Sequence, residues 1–115
     1  AAGQPIEAIP EQLEINFSEM LMGEGRYVLE VKGDSMIEAG IFNGDFVIIQ
    51  ERSTANNGDI VVALIDNGEV TLKKLRKHGD RVELIPENQS MVPMIYPAER
   101  VHIQGVVVSQ VRNYK

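Results

Sequence analysis

An Asn-Gly pair, Asn67-Gly68, stands between two β-patterned runs at residues 60–66 and 69–77. Asn-Gly suits the left-handed backbone that a two-residue hairpin turn demands, so it is the strongest short-range sign of antiparallel pairing a sequence carries. The surrounding chain repeats the theme. Tyr27, Leu29 and Val31 alternate with polar neighbours, which is the period of a half-buried strand. Further runs at 46–50, 81–85 and 101–111 are rich in β-branched residues, and Asn43-Gly44-Asp45, Asn56-Asn57-Gly58-Asp59 and His78-Gly79-Asp80 supply turns between runs. Gly105, inside the last run, marks a bulge or a close approach of two backbones. Helix is scarce: residues 36–39 suit one turn before Gly40. The expected fold is all-β, built as several small, highly twisted antiparallel sheets or a partly open barrel, with at most one short helical turn.

A chain of 115 residues supports one core and one domain, expected to span 1–115. Residues 1–16, with Pro5 and Pro10, read as an extended arm outside that core. The net charge of −6 argues against this domain holding a duplex by itself, since phosphate neutralisation needs a basic face. The short basic run at 73–77 reads mainly as the solvated side of a strand. The longest apolar run, residues 60–65, is too short to cross a bilayer, so no membrane role is expected. Absence of cysteine excludes disulfides and thiolate metal sites and suits a reducing, cytoplasmic setting. His78 and His102 have no ligand-like spacing, so neither a metal nor another cofactor is expected.

Chemistry is concentrated in three places. Ser35 follows Gly33-Asp34 directly after a strand pattern, where glycine permits a sharp bend that exposes a hydroxyl and leaves backbone N–H groups free for an oxyanion. A serine alone is no nucleophile at neutral pH and needs a base. Lys73 and Lys74 both lie in the β run after Asn67-Gly68, among Val70, Leu72 and Leu75. Apolar surroundings depress a lysine from its free value of about 10.4 by disfavouring the charged form. Strand parity does not choose between them, because Lys73 shares a face with Thr71 and Leu75 while Lys74 shares one with Val70 and Leu72. The third place is the Ala1-Ala2-Gly3 opening, whose small residues fit a tight slot and a bent backbone at a cleavable bond.

Five blocks occur in order: Gly33-Asp34-Ser35-Met36, Gly40-Ile41-Phe42-Asn43-Gly44-Asp45, Asn57-Gly58-Asp59-Ile60-Val61, Glu69-Val70-Thr71-Leu72-Lys73-Lys74-Leu75, and Val82-Glu83-Leu84-Ile85-Pro86-Glu87-Asn88. Together they resemble the C-terminal domain of LexA-type SOS repressors, in the wider Ser/Lys self-cleaving group with phage repressors and UmuD. The resemblance implies that Ser35 is the nucleophile and Lys73 its general base. It implies that backbone amides of Asp34 and Ser35 hold the oxyanion, that Thr71 helps orient the amine, and that the arm carries the scissile Ala2-Gly3 bond. It further implies a cytoplasmic homodimer, stimulation by a RecA filament on single-stranded DNA, and operator binding through an N-terminal DNA-binding domain absent from this chain. Residues 101–111, last in the chain, form the expected dimer edge. Two other readings use the same residues: a UmuD-like polymerase accessory protein, and a dimerisation module without catalysis. A membrane signal peptidase shares the chemistry but requires an anchor.

Overall fold

The computed structural model describes residues 16–66 and 68–114. The expected arm, apart from Asn16, and with it Ala2 and Gly3, lies outside the described residues, as does Asn67. Among the described residues, seven strands form one antiparallel sheet: β1 (Arg26–Glu30), β2 (Phe46–Glu51), β3 (Ile60–Ile65), β4 (Glu69–His78), β5 (Arg81–Ile85), β6 (Met94–Pro97) and β7 (Val101–Val111). Their order across the sheet is β1-β2-β7-β3-β4-β5-β6. The all-β expectation therefore holds, as a single continuous sheet rather than several. The 60–65 and 69–77 runs pair as the hairpin pattern predicts, from Ile60 opposite Lys74 to Ile65 opposite Glu69. Asp66, in the connection, takes a left-handed φ of 56° and accepts from Arg100 Nε–H and Nη2–H, one on each carboxylate oxygen.

Alternation along β3 organises the interior. Val61, Ala63 and Ile65 pack with Leu75, Val82 and Leu84, while Val62, of the opposite parity, packs with Val47, Ile49, Met36 and Ile41. A central strand buried on both faces reads as a continuous apolar run, and 60–65 is one. The second of these clusters matters for the site, because Met36 follows Ser35 directly and is only 2 % exposed. Burying that side chain anchors the serine turn to the sheet; truncating a core methionine costs about 2–5 kcal/mol.

Three differences from the sequence reading have physical causes. Residues 87–97, a proline-containing stretch in which the sequence pattern marks no strand, contain β6, an edge strand on β5 whose last pair is Pro97 opposite Arg81. A five-residue helix, α1 (Phe17–Leu21), is capped by Asn16, whose Oδ1 accepts from the Glu19 N–H at 3.0 Å, and a second 3₁₀ turn occupies Ala98–Arg100 beside the expected one at Ile37–Ala39. The expected edge strand, β7, is third in the order and flanked by β2 and β3. It crosses from one neighbour to the other: Val101 to Val106 pair with β3, and Gly105 to Val111 with β2. Gly105 and Val106 are paired on both sides, Val101 to Ile103 with β3 alone, and the strand from Val107 onward with β2 alone. Gly105 sits at the crossover, where a Cβ would overlap the Ile49 side chain and lie 2.7 Å from the Gln50 carbonyl, so the close-approach reading of this glycine holds.

Candidate active site

The turn after β1 is built by local constraints. Val31 pairs with the 40–45 loop, its N–H donating to the Asp45 carbonyl and its own carbonyl accepting from Gly44, both at 2.8 Å. Gly33 then takes a φ of 85°, a left-handed conformation that side chains resist, and its N–H donates to Asn43 Oδ1 at 2.8 Å. The chain reverses there and presents Ser35, half-buried, before the Ile37–Ala39 turn closes on the Met36 carbonyl. On the far side of a cleft of about 300 Å³, β4 carries Thr71 and Lys73. Leu29, Val31, Met36, Val47, Val62 and Leu72 make the rest of that cleft mostly apolar.

Lys73 Nζ lies 3.3 Å from Ser35 Oγ and donates to Thr71 Oγ1 at 2.5 Å. The structure thus brings together Ser35, Lys73 and Thr71, three of the residues singled out in the sequence. Parity places Thr71 beside Lys73 on one strand; the fold brings Ser35 to them from 38 positions away. Lys74 points elsewhere and pairs with Glu87. Lys77 reaches the Ala55 carbonyl at 2.8 Å, so the basic run is a strand border with separate partners rather than one patch.

Burial pushes the Lys73 amine below its ordinary value, and the charge of Glu69 works weakly the other way. Its two nearest polar neighbours are hydroxyls, which accept a hydrogen bond without neutralising an ammonium. A lysine so placed loses hydration and, among the described residues, gains no carboxylate hydrogen bond, which favours the neutral form. Among the described residues, no loop hydrogen bond uses the backbone N–H of Asp34, Ser35 or Met36, so donors remain beside the hydroxyl. Chemically, the arrangement offers a hydroxyl, an amine within reach of its proton, and backbone amides beside the hydroxyl.

The residues bracing this site were invisible in the sequence reading. Asp45, read as a turn former, does accept from the Phe42 N–H, yet it is also 2 % exposed and gripped by Arg112 through both carboxylate oxygens at 2.8 Å. The Arg112 hydrogen bonds, then the Phe42 N–H, hold its carboxyl down at about 2. Arg112 and Gln110 also cap the Gly40 carbonyl, tying the end of β7 to the loop behind the serine turn. Asn88 and Glu87 grip the same turn from the other side. Separations of 67 positions for Arg112 and Asp45, and 54 for Asn88 and Asp34, leave no local signal for either brace.

Comparison with known proteins agrees with this architecture. A family model described as Peptidase S24-like matches residues 1–108. The LexA repressor of Gluconacetobacter diazotrophicus is 54 % identical over 118 aligned residues, covering 99 % of this chain and 46 % of that protein. The LexA repressor of Gluconobacter oxydans is 53 % identical with 99 % and 49 % covered, and that of Zymomonas mobilis 47 % identical with 99 % and 53 % covered. The chain spans about half the length of the curated relatives it matches. With a family match running almost from end to end, over a sheet that sets a hydroxyl against a half-buried amine, this chain belongs to the Peptidase S24-like family.

Proposed function

We propose that this chain is the self-cleaving, dimerising part of a cytoplasmic repressor of the DNA-damage (SOS) response, and that Ser35 and Lys73 form its catalytic dyad. The single observation carrying the dyad is the 3.3 Å approach of Lys73 Nζ to Ser35 Oγ inside an apolar cleft. Neutral Lys73 takes the Ser35 proton as Oγ attacks the Ala2 carbonyl carbon. The carbonyl π pair moves onto oxygen, and the Asp34 and Ser35 amides stabilise that oxyanion. As the tetrahedral centre collapses, the Ala2–Gly3 C–N bond breaks and Lys73 returns the proton to the Gly3 amine. Water, deprotonated by the same lysine, then hydrolyses the Ser35 ester. Thr71 accepts an N–H of Lys73 and so directs its lone pair toward Ser35. A substrate on the same chain arrives at high effective concentration, so a modest base suffices.

By this reading the Ala2–Gly3 segment docks when a RecA filament on single-stranded DNA favours the docked form, and cutting separates this part from the DNA-binding part. Dimerisation uses the one-sided stretch of β7 beyond Val107, where Val108 and Val111 are exposed. The names of the similar proteins, LexA repressors, support a repressor over a polymerase accessory protein. The test is intact mass of the full-length protein after alkaline incubation. A fragment beginning at Gly3, absent from Ser35→Ala, is the expected result; an intact chain at every pH would leave a dimerisation module without catalysis.

A further inference from the structure

Asn88 is buried, 9 % exposed, in the loop that follows β5 and Pro86. Its amide orientation is set by its neighbours. The Ser90 backbone N–H can only donate and lies 2.9 Å from Oδ1, where Ser90 Oγ–H also donates at 2.7 Å. The Asp34 carbonyl can only accept and lies 2.9 Å from Nδ2. A flipped amide would set donor against donor at one end and acceptor against acceptor at the other. Asn88 is therefore a fixed donor aimed at the peptide unit preceding Ser35.

That peptide is trans, as are all the others described. In a planar trans peptide the C=O and the following N–H point in opposite directions, so fixing the Asp34 carbonyl also fixes the Ser35 N–H. Two further bonds stiffen the same connection: the Glu38 N–H donates to the Glu87 carbonyl at 2.8 Å, and the Gln89 N–H to Glu38 Oε2 at 2.9 Å. Glu87 in turn pairs with Lys74, next to Lys73. The 87–90 loop thus ties the serine turn and the lysine strand into one frame.

We propose that Asn88 is a positioning residue that aims the Ser35 N–H at the oxyanion formed during cleavage. Asn88 touches neither the reacting atoms nor Lys73; it acts through the Asp34–Ser35 peptide. This rests on the self-cleavage reading. Turning one oxyanion donor away costs about 100-fold in rate, and none of that loss should reach the titration of the base.

The experiment measures self-cleavage of the full-length protein from neutral to strongly alkaline pH for wild type, Asn88→Ala, Asn88→Asp and Ser90→Ala, with a thermal melt of each. Asn88→Asp keeps the shape and the Ser90 bonds but loses the donor to Asp34. Expected are a plateau rate about 100-fold lower for Asn88→Ala, an equal or larger loss for Asn88→Asp, and a profile midpoint for Asn88→Ala unchanged from wild type. Ser90→Ala, which leaves the Asp34 bond in place, should stay within about threefold. A plateau within twofold of wild type in Asn88→Ala overturns the proposal, as does a displaced midpoint in that variant, an equal loss in Ser90→Ala, or failure of both Asn88 variants to fold. Ser35→Ala separates this from failure of the reading beneath it: if that variant still cuts, the dyad fails; if it does not while Asn88→Ala is normal, only the role of Asn88 fails.

Discussion

Two polar clusters flank the same loop and treat charge in opposite ways. At Asp45 a carboxylate meets a guanidinium in a bidentate pair, with the Phe42 N–H and Gln110 completing its bonds. At Lys73 an amine meets, among the described residues, the hydroxyls of Ser35 and Thr71 in a mostly apolar cleft. The first arrangement stabilises the ionised form and holds Asp45 at about 2; the second disfavours it and pushes Lys73 down from its ordinary value. Pairing makes a brace, and withholding a charged partner suits an amine to the proposed role of base. The brace ties the end of β7 to the Gly40 carbonyl, close in sequence to the turn on which the proposed base would act.

The largest expected effect removes the reactive side of this comparison. Ser35→Ala or Lys73→Ala should lower self-cleavage by roughly 10⁴-fold or more, measured as the appearance of a Gly3 terminus, because members of such a unit do not substitute for one another. Breaking the brace comes next. Asp45→Asn leaves Arg112 without its carboxylate against a buried site, and a thermal melt should fall by roughly 10 °C. Its pH signature has a defined sign. Asp45 titrates lower in the fold than its unfolded value of about 3.9, so its contribution is present above that value and is lost as pH falls toward about 2. In Asp45→Asn that acid dependence should flatten.

Smaller effects sharpen the contrast at the lysine. Thr71→Val keeps the shape but removes the acceptor of the Nζ hydrogen bond, proposed to orient the amine, and should slow cleavage about 10-fold by leaving it free to rotate. Lys73→Met tests the burial penalty. The native lysine titrates below its unfolded value of about 10.4, so between the two values the unfolded chain binds the extra proton and wild-type stability rises with pH. Melts should therefore show Lys73→Met ahead of wild type at neutral pH, with the gap closing as pH approaches 10.4. Lys74→Ala is the smallest change. It loses a part-exposed pair with Glu87, worth at most about 1 kcal/mol, and should leave the cleavage rate within about twofold.

How much of this was legible follows from the range of the interactions. Six of the seven strands among the described residues announce themselves by alternation or β-branched runs, because burial of one or both faces is written into successive residues. β6 was not, since prolines crowd it and its apolar Met94 and Ile95 are exposed. Placing β7 at the edge failed because position in the chain says nothing about order in a sheet; the strand returns to fill the space between β2 and β3. Within the site, Gly33 and Ser35 are readable as a bend with a hydroxyl, and Thr71 as the face neighbour of Lys73. The choice of Lys73 over Lys74 needed either the family resemblance or the fold, since both sit among aliphatic neighbours. Asn88, Arg112 and the ionic role of Asp45 depend wholly on contacts made across the sheet.

The central claim is that Lys73 acts as a neutral base on Ser35, and the rate of self-cleavage against pH tests it most directly. A rate that climbs about tenfold per pH unit and levels off below 10.4 is the expected outcome. A flat profile, or one still climbing beyond that value, would mean that the amine beside the hydroxyl is not the group whose proton governs the cut.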